Sequence, residues 1–193
     1  MNAKYKAIPE GAIKVPLPDT RQGEDYSCGA SALQAISGYF GVGPEEEEDY
    51  VRDLKMDTRV GSHPFQIIRA AERYGLRVSE KERMTVNEVK AYLDRGKPVM
   101  LMIQAWRDSE TEKSYAKEWD EGHWVVAIGY DRAGMYFEDP SLAAIRGFIP
   151  YTELEERWHD TGPKNKRIEH YGLAVWRPRM LRPAYLMQAR RIP

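Results

Sequence analysis

"PVMLMIQ", residues 98–104, is apolar at nearly every position. A strand with one wet face alternates apolar and polar residues, so an unbroken run of this length fits a strand buried on both faces. "HWVVAIGY" (123–130) has the same character, and "GMYFED", "GLAVW" and "AAIRGFI" supply further strand candidates downstream. Upstream the grammar is helical. From Ser27 onward, Ala30, Leu33, Ile36 or Ser37, and Phe40 recur at helical spacing, with Gly38 and Gly41 punctuating the end. "GPEEEEDYVRDL" predicts a second helix with Pro44 in its first turn and four Glu at the positive end of the dipole. "GSHPFQIIRAAERYGL" predicts a third, with Ser62 or His63 near its cap and Gly75 ending it. "TVNEVKAYLDRGKP" predicts a fourth, with Thr85 and Glu88 as a capping box and Gly96 as the stop. Helices first and strands later predict an α+β fold rather than a doubly wound sheet.

The totals narrow the class. The chain has 193 residues, 42% of them hydrophobic and 31% charged, and a formal net charge of −1. That length suits one domain, and the charge balance favours neither nucleic acid nor an anionic membrane surface. The N-terminus lacks the apolar run of a signal peptide, and no stretch approaches a membrane span. Residues 1–20 are dotted with proline and read as an extended arm, 21–177 as the folded domain, and 178–193 as a basic tail. A single cysteine excludes an internal disulfide and a zinc site built on paired cysteines, so the expected compartment is the reducing cytoplasm.

That cysteine, Cys28, sits in "RQGEDYSCGASALQAISGYF" (21–40), at the start of the first helix. A lone cysteine is commonly a small buried hydrophobe. At a helix start, however, unpaired backbone N–H groups and the dipole favour a thiolate. Gly29 beside it leaves room for a substrate backbone. A thiolate nucleophile needs a base, usually an imidazole. Of the four histidines, His63 lies at a helix cap, His159 at a surface helix end and His170 in polar sequence, and each reads as structural or solvated. His123 opens a buried strand, where a rigid backbone would hold its ring still. Asp139 ends the next hairpin strand before Pro140, at a level where its carboxylate can fix the imidazole tautomer. Gln22 lies far enough upstream of Cys28 for a turn to return its amide to the helix start, where it and the Cys28 N–H can bind an oxyanion.

Gln22, Cys28-Gly29-Ala30, "GHWVVAIGYD" and "YFEDPS" (136–141), in this order and spacing, resemble the bacteriocin-leader-processing cysteine peptidases. These are a papain-like group that cuts after double-glycine leaders, and this chain looks like a stand-alone member. The resemblance spans roughly residues 20–160. It implies Cys28 as nucleophile, His123 as base, Asp139 as the orienting residue and Gln22 as oxyanion donor. It also implies a papain-like fold, with the Cys helix packed on a C-terminal antiparallel sheet. The expected reaction is peptide-bond hydrolysis through a thioester, with a peptide or protein as substrate and no cofactor or metal. Other thiol-dependent acyl transfer, such as isopeptide cleavage or transpeptidation, uses the same constellation. A non-catalytic peptide-binding module is the third reading. The histidines lack HExxH-type spacing, which disfavours a metalloenzyme.

Residues 105–121 interrupt two core strands with mostly charged sequence that nevertheless carries Trp106, Tyr115 and Trp119. Such a segment either pins itself to the body through its aromatics or walls the cleft. On the second reading Trp106, Trp119 and Gly122 contact substrate. The tail 177–193 holds five Arg and no acid, and reads as a partly ordered end or a contact for an acidic partner.

Overall fold

The run Val99–Gln104 is strand β2, and all six of its residues are buried. It pairs antiparallel with a second buried strand, β3 (Gly122–Tyr130), from Val99 opposite Ala127 to Gln104 opposite Gly122. The computed structural model describes residues 5–106, 114–162 and 165–178. Around the β2–β3 pair lies a six-stranded sheet in the order β1-β8-β2-β3-β4-β5. The remaining strands are β1 (Arg77–Lys81), β4 (Gly134–Glu138), β5 (Gly147–Pro150) and β8 (Gly172–Trp176). Every neighbouring pair is antiparallel. The fold is α+β, as the order of patterns predicts.

Four helices precede or flank the first strands: α1 (Cys28–Phe40), α2 (Glu47–Leu54), α3 (Pro64–Arg73) and α4 (Val86–Leu93). Helices α1 and α4 both pack against β3. That burial on both sides explains why β3 is closed to solvent from His123 to Gly129. The residues of α1 expected to face inward, Ala30, Leu33, Ile36 and Phe40, are all in the core. Thr85 caps α4 as predicted, accepting the Glu88 N–H at 3.3 Å while Glu88 accepts the Thr85 N–H at 2.9 Å. One boundary differs. Pro44 lies outside α2, because the Pro44 carbonyl accepts the Tyr50 hydroxyl and the Glu45 carbonyl accepts the Gln34 amide. The helix begins after this braced turn, at Glu47.

Three elements lack a strong sequence signal. Strand β1 is an edge strand with three exposed residues, paired to β8 from Arg77 opposite Trp176. A fifth helix, α5 (Tyr151–Arg157), leads into a hairpin of β6 (His159–Thr161) and β7 (Arg167–Glu169), a second, two-stranded sheet. His159 is therefore not at a surface helix end. It is buried in β6, its Nε2 sits 2.6 Å from the Glu118 carbonyl, and its ring lies 4.2 Å from that of Trp119. The basic tail beyond Pro178 lies outside the described residues. Among the described residues no helix is long and apolar enough to cross a membrane.

Candidate active site

Cys28 is the first residue of α1, preceded by a tight turn. The Ser27 N–H and hydroxyl both donate to the Glu24 carbonyl, at 3.0 and 2.9 Å, and the Ser27 oxygen accepts the Glu24 N–H at 3.1 Å. Ser27 spends its side chain on this turn and makes no capping bond to the helix. Among the described residues the Cys28 and Gly29 N–H groups donate to no protein acceptor. They are the free donors that a helix N-terminus leaves for an anion.

His123 opens the buried part of β3, and Asp139 follows the last residue of β4. The hairpin register sets Val126 opposite Glu138, which brings the Asp139 carboxylate back beside the His123 ring. Nε2 of His123 and Oδ1 of Asp139 are 2.7 Å apart. The same oxygen accepts the Ser141 N–H at 2.9 Å and its hydroxyl at 2.8 Å, which fixes the carboxylate. Burial works to raise the Asp139 carboxyl, but the His123 ring and the Ser141 donors outweigh it and hold it below the usual carboxylate range. Burial works to lower His123, and here too the partners win. The Asp139 carboxylate, and after it negative charge on the Cys28 sulfur, push the imidazole up to about 9. The second ring nitrogen, Nδ1, is buried and makes no hydrogen bond. Cys28 and His123 thus border one cleft, with the Asp139 carboxylate held against the imidazole.

Gln22 is joined to this unit through backbone: its N–H donates to the Pro140 carbonyl at 3.0 Å. Its side-chain amide donates to the carbonyls of Glu24 at 3.0 Å and Asp25 at 3.4 Å, and its Oε1 has no partner. The amide therefore lies at the cleft edge, folded onto the Cys28 turn.

Cys28, Gln22 and His123 line a cleft of about 860 Å³, together with Trp106, Trp119 and Gly122. The Trp106 ring lies 4.7 Å from the His123 ring and is about half exposed. Its backbone has a φ of 45°, a left-handed value unusual for a bulky residue. Trp119 borders the cleft with Arg167 stacked over it, and Tyr115 lies under Arg157 instead. Residues 107–113 of this segment lie outside the described residues. Gly29 serves a different end from the one expected. It is buried, and a Cβ there would come within 2.0 Å of the Ser62 hydroxyl and 3.1 Å of Trp124. The space beside it is filled by the protein itself.

The sequence suggests no role in the site for three residues in or behind the cleft wall. Ser62 is buried and its hydroxyl has no partner. Buried Gln104 donates to the His159 carbonyl and to Asp160, and accepts the Glu121 N–H at 3.0 Å. Asp160, in β6, borders the cleft behind Gly122. "WHDTG" carries no alternation that would mark a strand, and nothing in it points at β3.

The Peptidase_C39 like family model matches residues 13–165. The chain belongs to this family. Its membership makes it a cysteine peptidase by class. Solved structures agree on the fold. A C39-like peptidase structure from Bacillus anthracis superposes with a TM-score of 0.65 at 16% identity, over 86% of this chain and 97% of that one. The double glycine motif protease from an AMS/PCAT transporter, solved with its leader peptide, gives 0.55 at 20% identity, over 82% and 90%. The peptidase domain of Streptococcus ComA, a bifunctional ABC transporter, gives 0.56 at 15% identity, over 81% and 94%. No curated protein matches the sequence significantly.

Proposed function

We propose that this C39-like chain hydrolyses peptide bonds through a Cys28–His123–Asp139 triad and a thioester intermediate. The observation that carries the reading is the 2.7 Å His123–Asp139 pair in the same cleft as Cys28, the first residue of α1. Cys28 Sγ attacks the scissile carbonyl, and its proton resides on His123. The carbonyl oxygen, now carrying the charge, is met by the Cys28 N–H and by one N–H of Gln22. The bond from Gln22 to the Asp25 carbonyl is long, at 3.4 Å, and is the weaker of its two, so the oxyanion can compete for that hydrogen. The imidazolium then gives its proton to the departing amine, the C–N bond breaks, and the acyl group stays on sulfur. Water enters, loses a proton to His123 and attacks the thioester, and the acid product leaves as the proton returns. Asp139 stays ionised throughout and holds the ring.

A peptide substrate is supported by the open cleft and by the neighbour solved with a leader peptide. The reading keeps residues 21–177 as the peptidase unit, 1–20 as an extended N-terminal arm and 178–193 as a basic tail. A reducing compartment such as the cytoplasm suits a free catalytic thiol.

The test is to incubate wild type and Cys28→Ala with a peptide library and read new termini by mass spectrometry. New C-terminal acids from the wild type alone are expected. Products joined to added amines would instead assign transpeptidation. Iodoacetamide modification of Cys28 only in denaturant, with no cleavage, would end the reading.

A further inference from the structure

Asp160 has no part in the chemistry above, yet it stands against Gly122, the residue before the proposed base. Its Oδ1 accepts the Thr161 N–H at 2.7 Å and the Gln104 amide at 3.2 Å. Among the described residues, Oδ2 accepts no hydrogen bond. The carboxylate lies flat against Gly122, where a Cβ would come within 2.5 Å of both oxygens. The carboxylate thus fills the space that a side chain at 122 would take, and only a glycine there lets it sit so close to β3. Both residues border the cavity that holds Cys28 and His123. Burial pushes the Asp160 carboxyl up to about 6. At neutral pH it is an anion held in surroundings that disfavour it, and a cation brought alongside would relieve that cost.

The His123 imidazole offsets part of that cost, but most other charges of the wall are carboxylates. Asp25, Asp120 and Glu121 also border the cleft, and Arg59 is the one arginine or lysine among its described lining residues. The geometry points to Asp160 as a specificity-determining residue that selects substrates carrying an ammonium or guanidinium group at the position lying over Gly122. This assignment rests on the peptidase reading of the same cleft. A purely structural Asp160 would need only Oδ1, which an asparagine carbonyl reproduces. Selection needs the negative charge itself.

Wild type and Asp160→Asn are therefore compared on a library varying three residues on each side of the cut, with free and acetylated N-termini. The wild type is expected to enrich Lys and Arg at one position near the scissile bond, and Asp160→Asn to lose that enrichment by about tenfold, the size of one charge-assisted contact. Enrichment confined to free N-termini would assign the cation to the α-amine. Cleavage without cationic preference, or preference that persists in Asp160→Asn, overturns the assignment and leaves the peptidase reading standing. A second measurement is independent of turnover. Cys28→Ala protein is titrated with acetyl-Ala-Lys-Ala-amide and with its norleucine counterpart. Tighter binding of the lysine peptide by about tenfold is expected, with parity once Asp160→Asn is added. Equal binding before that addition overturns the assignment. A library left uncut by the wild type sinks the hydrolytic reading, while this pair of titrations still decides on Asp160.

Discussion

At the scale of single residues, the triad members differ in what they contribute, and their loss should differ accordingly. Without the imidazole, Cys28 has neither base nor proton donor, so His123→Ala should abolish turnover. Asp139→Asn keeps a hydrogen-bond partner but reverses its polarity, which favours the wrong tautomer and costs up to about 10⁴-fold in kcat. Residual activity in His123→Ala, with loss in His63→Ala, would move the base to the other cleft histidine. Gln22→Ala should lower kcat by about 10²–10³-fold with KM little changed, since its amide acts on the charged intermediate. An unaltered kcat would return Gln22 to the turn it already braces. The His123 ring also ties pH to stability. Its folded value of about 9 lies above the ~6.5 of a free histidine. The stabilisation it brings is complete below pH ~6.5 and fades as pH climbs through about 9. Urea midpoints of wild type should fall across that window by more than those of His123→Ala, and parallel curves would contradict the coupling.

At the scale of elements, strength of pattern decided what could be read from sequence. Strands β2 and β3 are buried on both faces and therefore spelled in unbroken apolar residues, and α1 and α4 carry their spacing and caps openly. Strand β1 is a half-wet edge of the sequence Arg-Val-Ser-Glu-Lys, and its identity comes from β8 rather than from its own residues. The β6–β7 hairpin has three residues a side, too few for any period to register. Cys28, His123 and Asp139 were legible because each sits at the end of a strongly patterned element. Asp160 was hidden because its partner, Gly122, is met only across two sheets. The connector after β2 shows the same limit. Its aromatics announce contacts, but not that Trp106 covers the His123 ring while Tyr115 faces Arg157. A ring at 4.7 Å packs against the His123 imidazole and limits how far it can turn. Trp106→Ala should leave the fold intact, judged by an unchanged urea midpoint, and lower kcat by about tenfold, the cost of a slightly loosened geometry. If kcat holds and only KM rises, the ring contacts substrate instead.

At the scale of the whole molecule, the arm before Gln22 joins the halves of the site. The Lys14 and Val15 N–H groups both donate to the Ile128 carbonyl at 2.9 Å, and the Ala12 carbonyl accepts the Tyr130 N–H at the same distance. Val15 and Leu17 are buried in the common core. Further along, the Thr20 N–H donates to buried Glu138, which pairs with Arg146. Gln22 then bonds the Pro140 carbonyl, immediately after Asp139. The arm thus runs from the far end of β3 to the Cys28 turn, bonded to the strands that present His123 and Asp139. Its closest approach is at Gly129, where a Cβ would come within 2.2 Å of the Ala12 carbonyl oxygen and 2.8 Å of the Ile13 Cα. Neither backbone atom can yield as a side-chain tip would. Gly129→Ala must therefore push the arm off β3 or bend the strand, at a cost of about 1–3 kcal/mol, in the range of core overpacking. Because the arm ends at Gln22 and Cys28, the damage should reach the site some distance away. The expected result is a lower urea midpoint together with a kcat/KM reduced at temperatures where the variant is still fully folded. A lower midpoint with unaltered kcat/KM would show that the arm braces the fold without setting the site. An unchanged midpoint would show that the arm gives way at no cost.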